Sequence, residues 1–100
     1  MVDQQELIDA LKYNIEYDGA GGRRYYNATG QLHREGGPAL ISGQGTEEHW
    51  FKNGVRHRED GPAITWANGS KSWVLNGVCV SEYEFNALRR AIQNGRARHI

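Results

Sequence analysis

Apolar and aromatic residues follow two different rhythms along this chain. Between Arg23 and Val80 they fall in short runs, with Tyr25, Tyr26, Trp50, Phe51, Trp66 and Trp73 inside stretches of strand length. Turn residues punctuate these runs. Asn53-Gly54 and Asn76-Gly77 have the chemistry of type I′ hairpin turns, in which both central residues need a positive φ. Thr29-Gly30 takes the same place earlier, and Gly43-Gln44-Gly45 and Ala67-Asn68-Gly69 mark the alternate turns. Pro38 and Pro62 each follow a glycine and open a strand, where a missing N–H does little harm. This pattern predicts an antiparallel meander over 23–80.

The two ends have helical spacing instead. Leu7, Ile8, Leu11 and Ile15 form one apolar stripe, and Phe85, Leu88, Ala91 and Ile92 form another. Both begin with the same start signal. Asp3 with Glu6 and Ser81 with Glu84 have capping-box spacing, and Val2 with Leu7 and Val80 with Phe85 are staple pairs. Asn94-Gly95 stops the second helix. The expected fold is α+β: a β-hairpin repeat meander flanked by short helices near Asp3–Asn14 and Ser81–Asn94. One domain of 100 residues is expected. It divides into helix and connector (1–22), hairpin repeats (23–80), and helix with basic tail (81–100).

The hairpin region is internally duplicated. His33-Arg34-Glu35-Gly36-Gly37-Pro38-Ala39-Leu40 aligns with His57-Arg58-Glu59-Asp60-Gly61-Pro62-Ala63-Ile64 at an offset of 24, with six of eight positions identical. Trp50-Phe51-Lys52-Asn53-Gly54 aligns with Trp73-Val74-Leu75-Asn76-Gly77 at an offset of 23. Two-residue turns pair Trp50 with His57 and Trp73 with Val80, and the same reading of the first unit pairs Tyr26 with His33. Each histidine is then expected to stack on its cross-strand aromatic, with Arg–Glu pairs bracing the turns.

Composition narrows the function classes. Twelve basic and twelve acidic residues cancel, which argues against a dedicated nucleic-acid binder. The charge is uneven. Residues 1–22 carry five acidic side chains against Lys12, and 86–100 carry four arginines and no acid. Cys79 is the one cysteine, so no intrachain disulfide forms. Lying between Val78 and Val80, it is expected to be a small buried hydrophobe. No long apolar stretch is present, and a cytoplasmic protein without signal peptide or membrane contact is expected.

The unit Trp-x-x-Asn-Gly-x-x-His-Arg-x-x-Gly-Pro-Ala resembles the MORN-like repeat variant of phage and giant-virus proteins over roughly residues 25–80. The usual unit has Gly-x-Tyr-x-Gly and a glycine after its histidine. Here arginine follows His33 and His57, so the lipid binding attributed to some MORN arrays is not carried over. The resemblance implies β-hairpin units and no catalytic residues. It also implies a phage-encoded protein that inhibits a host defence protein, such as an anti-CRISPR acting in the host cytoplasm.

Candidate chemistry is sparse. His33 and His57 with Glu35 and Glu59 have the residue types of an acid–base site, but a motif copied into successive hairpins is better explained by fold. His33, His49, His57 and His99 lack metal-ligand spacing, and the glycine run after Asp18 lacks the strand–helix context of a phosphate loop. No cofactor or metal is expected. The expected function is a non-enzymatic protein-binding module, monomeric or homodimeric, with a host protein or complex as partner. Its contact residues are expected to be Arg23, Arg24, Tyr25, Arg89, Arg96 and Arg98, because arginine and tyrosine combine large contact area with directed hydrogen bonds. The alternatives are a nucleotide or nucleic-acid binder using the Arg23–Tyr26 cluster and the basic tail, and a small His/Glu hydrolase.

Overall fold

A computed structural model describes residues 3–95. In chain order the elements are α1 (Gln4–Lys12), β1 (Asn14–Tyr17), β2 (Arg23–Tyr26), β3 (Leu40–Ile41), a 3-10 turn at Gly43–Gly45, β4 (Glu48–His49), β5 (Phe51–Lys52), β6 (Val55–Arg56), β7 (Ile64–Thr65), β8 (Lys71–Leu75), β9 (Val78–Val80) and α2 (Glu82–Gln93). One antiparallel sheet runs in the order β1-β2-β3-β4-β7-β8-β9, and β5-β6 is a separate hairpin that branches from it. The expected α+β meander between two helices is therefore the observed architecture. Both helix starts are capped. Ser81 and Glu84 exchange both bonds of the expected capping box, whereas at α1 only its first half forms, Asp3 accepting the Glu6 N–H. Val2 of the expected staple lies outside the described residues.

The N-terminal stripe is shorter than its apolar spacing suggests. Tyr13 leaves the helical region at φ −127 and ψ 152, and Asn14–Tyr17 becomes a strand paired along β2 from Asn14↔Tyr26 to Tyr17↔Arg23. Ile15 thus belongs to the sheet rather than to the helix. The edge of β2 offers unpaired backbone groups, and Ile-Glu-Tyr suits a pleated, half-buried surface.

The connector after β1 is closed on itself. The Asp18 carboxylate accepts the N–H groups of Ala20 and Gly22, both at 2.8 Å. A Cβ on Gly22 would lie 2.1 Å from that carboxylate, so any larger residue would push the carboxylate off these donors. The backbone donors of a phosphate cradle here already hold the chain's own anion. The hydrogen bond from Ala20, then that from Gly22, holds the Asp18 carboxyl below its ordinary value of 3.8. Because the folded value is depressed, this interaction is complete above the unfolded value and is lost as pH falls through the folded one. A carboxyl NMR titration should place the Asp18 midpoint below 3.8, and Gly22→Ala should raise it.

The hairpin registers follow turn chemistry. Asn53 and Asn76, with their following glycines, all have positive φ, as type I′ turns demand. Phe51 accordingly faces Arg56, and Trp73 faces Val80. The first hairpin differs from its expected register. Asn27 N–H donates to Gln31 O at 2.9 Å around a three-residue loop with only Gly30 at positive φ (83°). Tyr26 then lies opposite Leu32, and His33 N–H donates to Tyr25 O, so the aromatic facing His33 is Tyr25 rather than Tyr26. Thr29 is β-branched and resists the left-handed conformation that asparagine accepts, so the loop recruits one more residue.

The core is thin. Ala39 and Ala63, the final residues of the two motif copies, are fully buried, and Ala63, Ile64 and Val74 cluster with Trp50 packed against them. Helix α2 lies on β8 and buries Phe85. Cys79, expected inside, is exposed, because β9 is the outermost strand of the sheet.

Candidate functional site

The duplicated motif builds a pair of arginine sandwiches. The Arg34 guanidinium lies 4.0 Å above the Tyr25 ring, and that of Arg58 lies 3.7 Å above Trp50. Each is also packed tightly against a glycine. A Cβ on Gly37 would come within 2.8 Å of Arg34, and one on Gly61 within 2.9 Å of Arg58. Each Nη1 donates to the proline carbonyl that follows, Pro38 at 3.1 Å and Pro62 at 3.2 Å. An aromatic, an arginine, a glycine and a proline thus hold one another. Cation–π attraction at such partly desolvated sites is worth about 1–2 kcal/mol.

The histidines do a different job from the expected stacking. His33 Nδ1 accepts the Asn53 N–H, and His57 Nδ1 accepts the Asn76 N–H, both at 2.9 Å. Each histidine therefore caps the turn of the next hairpin. Nδ1 must be unprotonated to do this, so the neutral ring carries its proton on Nε2, facing Glu35 at 3.9 Å or Glu59 at 3.8 Å. His57→Ala strands the part-buried Asn76 N–H and should cost about 1–3 kcal/mol in chemical denaturation. Loss at the low end would show that water replaces the ring.

Backbone bonds also tie successive hairpins together. Gly54 N–H donates to Leu32 O and Gly77 N–H to Arg56 O, while Arg34 N–H donates to Phe51 O and Arg58 N–H to Val74 O. The third unit ends the series chemically. Val80 stands in the histidine position and offers no acceptor, and the Ser81 N–H, in the arginine position, is taken by Glu84 Oε1 at 3.1 Å.

The glutamates do not brace the arginines. Arg58 Nε donates to Asp60 at 2.8 Å, and this bond holds the Asp60 carboxyl below the usual carboxylate value. The first copy has Gly36 where the second has Asp60, and so lacks a carboxylate of its own. Asp9 of α1 supplies it. Its Oδ2 accepts from Arg34 Nη2 at 2.8 Å, and Gln5 donates to Oδ1. The Tyr13 hydroxyl accepts the Glu35 N–H at 3.0 Å, and its ring stands edge-on to Tyr25.

This docking turns α1 polar side inward. Asp9 is 4% exposed, whereas Leu7 is 54% and Leu11 88% exposed, with Ile8 also at the surface. The expected apolar packing of the stripe on the sheet is therefore reversed. A guanidinium clamped in a half-dry sandwich needs a carboxylate, and leaving it unpaired would cost more than exposing two leucines.

The sequence-derived contact residues are scattered. Tyr25 is 2% exposed and belongs to the core under Arg34, so it is removed from the contact surface. Arg23 is half-buried, and Arg24 is exposed and pairs with Glu16 at 3.4 Å. Arg89 is half-buried and close enough to Asp60 to lower its pKa. Arg96 and Arg98 lie outside the described residues. The residues that sequence reasoning missed are Asp9, Leu11 and Tyr13, and the signal that could have found Asp9 is the Gly36/Asp60 difference between otherwise matching copies.

Between the two copies lies an open cleft of about 370 Å³, lined by Arg34, Glu35 and Gly36 of the first and by Trp50, His57 and Arg58 of the second. Among the described residues no three His, Cys, Asp or Glu side chains are placed to hold a metal ion. No described helix is long and apolar enough to cross a membrane. Comparisons of the chain with protein-family models, curated proteins and solved structures found no match.

Proposed function

We propose that this chain is a non-enzymatic protein-binding module that holds its target stoichiometrically through the outward face of α1. The observation that carries this reading is the inverted helix. Leu7, Ile8 and Leu11 form a continuous i, i+1, i+4 apolar surface in water, held at a fixed orientation by the Asp9–Arg34 pair. Exposed apolar surface held on a rigid support is what a partner can bury. His33 and His57 are committed to turns, Arg34 to Asp9 and Asp60 to Arg58, which favours a display scaffold over a hydrolase. The likeness of the repeats to the MORN-like variant of phages adds the proposal that the target is a host defence protein, a CRISPR effector among the candidates.

Leu7→Ser combined with Leu11→Ser is the test. Both side chains are exposed, so stability should change by no more than about 0.5 kcal/mol per site. A target retained by the parent chain and released by this variant, with inhibition that levels off at a fixed molar ratio, is the expected result. Complete inactivation of the target far below one chain per target would show an enzyme instead.

A further inference from the structure

The way α1 sits on the first motif copy shows what the second copy can receive. Asp9 on the last turn of α1 and Tyr13, the extended C-cap residue four positions on, meet four groups there. Asp9 Oδ2 takes the Arg34 Nη2 donor, and the Tyr13 hydroxyl takes the Glu35 N–H. The Tyr13 ring lies 6.0 Å from Tyr25 and 6.1 Å from His33 between centroids.

The second copy repeats all four groups as Arg58, the Glu59 N–H, Trp50 and His57. Arg58 spends Nε on Asp60 and Nη1 on Pro62 O. Its Nη2, the counterpart of the nitrogen that holds Asp9, meets no acceptor among the described residues. The cleft of about 370 Å³ opens there. We propose that this cleft receives the C-terminal end of a helix of a protein partner, with a carboxylate on its last turn and an aromatic side chain four residues on, just past the helix end. This rests on the reading of the chain as a protein-binding module and adds the chemistry of the partner.

The first copy limits how such a helix can lie. Arg34, Glu35 and Gly36 also line the cleft, so the first copy bounds the space open to a partner. A Cβ at Gly36 would meet nothing within 4 Å, which leaves that side open. Charge permits an incoming acid. Asp60 already balances Arg58, and Lys52 on the lining and Arg89 beside Asp60 supply positive charge against Glu35 and Glu59. The stacked, half-desolvated guanidinium favours a planar carboxylate over a neutral amide, since a charge-assisted hydrogen bond is about twice as strong as a neutral one.

The test uses the chain's own docking element as probe. A synthetic peptide of residues 3–14, blocked at both ends, is titrated into the isotope-labelled full chain, with the Trp50 indole N–H and the Glu59 amide as reporters. The expected result is a saturable shift of both signals. A peptide carrying Asp9→Asn should bind about tenfold more weakly, the loss of one charge-assisted bond. Three outcomes overturn the proposal: no shift at Trp50, shifts centred on Tyr25 and Glu35 through exchange with the resident α1, or equal binding of the Asp and Asn peptides. Trp50 shifts that grow with protein concentration alone would assign the cleft to a second copy and also overturn it. None of these outcomes touches the α1 surface, whose own test is the Leu7/Leu11 variant.

Discussion

Arg34→Ala should destabilise the chain by about 3–5 kcal/mol, far more than Arg58→Ala, although the two arginines occupy equivalent places in the repeat. Both substitutions remove a cation–π contact and a bond to a proline carbonyl. They differ in what they leave behind. Removing Arg34 strands the Asp9 carboxylate, whose side chain is 5% exposed, and removes the clamp on α1. Removing Arg58 leaves Asp60, whose side chain is 68% exposed and returns to water at little cost. Arg58→Ala should therefore cost about 2 kcal/mol, mostly the lost stacking. Urea denaturation of both variants checks the order. Adding Asp9→Ala to Arg34→Ala should restore part of the loss, because the stranded charge is then gone, and a double-mutant cycle would show strong coupling. Equal costs for the two arginines would mean that α1 is not held by its carboxylate.

Phe85→Ala should cost about 3–5 kcal/mol, in the range for emptying a buried phenylalanine site. Phe85 is 1% exposed, and α2 reaches the sheet at β8. The rest of the helix holds less firmly: Leu88 and Tyr83 are exposed, and Arg89 is half-buried. Thermal or urea unfolding should show the loss, with Leu88→Ala as a contrast at about 1 kcal/mol or less. Since folded domains of this size have only about 5–15 kcal/mol in total, Phe85→Ala is expected to lower the midpoint steeply. If α2 came off alone, helical signal would fall before the tryptophan environment changed, and the two probes would not coincide.

Much of this molecule is legible residue by residue. The asparagine–glycine turns set the second and third hairpin registers because the dihedral requirement is local. Ser81 and Glu84 close the box that starts α2 for the same reason, and the expected span of that helix, Ser81–Asn94, brackets the observed Glu82–Gln93 with its caps. The duplication also marked the residues that hold the repeats together. It did not say how they do so. His57 looks like a partner for Trp50 across the strand, yet its ring nitrogen serves a turn nineteen residues further on.

What sequence alone determined, then, is everything whose cause lies within a few residues: two capped helices, the type I′ turns, the meander between them, and the equivalence of His33 with His57 and of Arg34 with Arg58. Tertiary structure decided the first hairpin's register, the strand at Asn14–Tyr17, the burial of Tyr25 and the exposure of Cys79. It also decided which face of α1 points outward. Helical periodicity reports that a helix has an apolar and a polar side. It cannot report that a fixed arginine twenty-five residues away lacks a carboxylate. That demand is electrostatic and acts through space in a half-dry sandwich, and it outweighs the preference of two leucines for the interior.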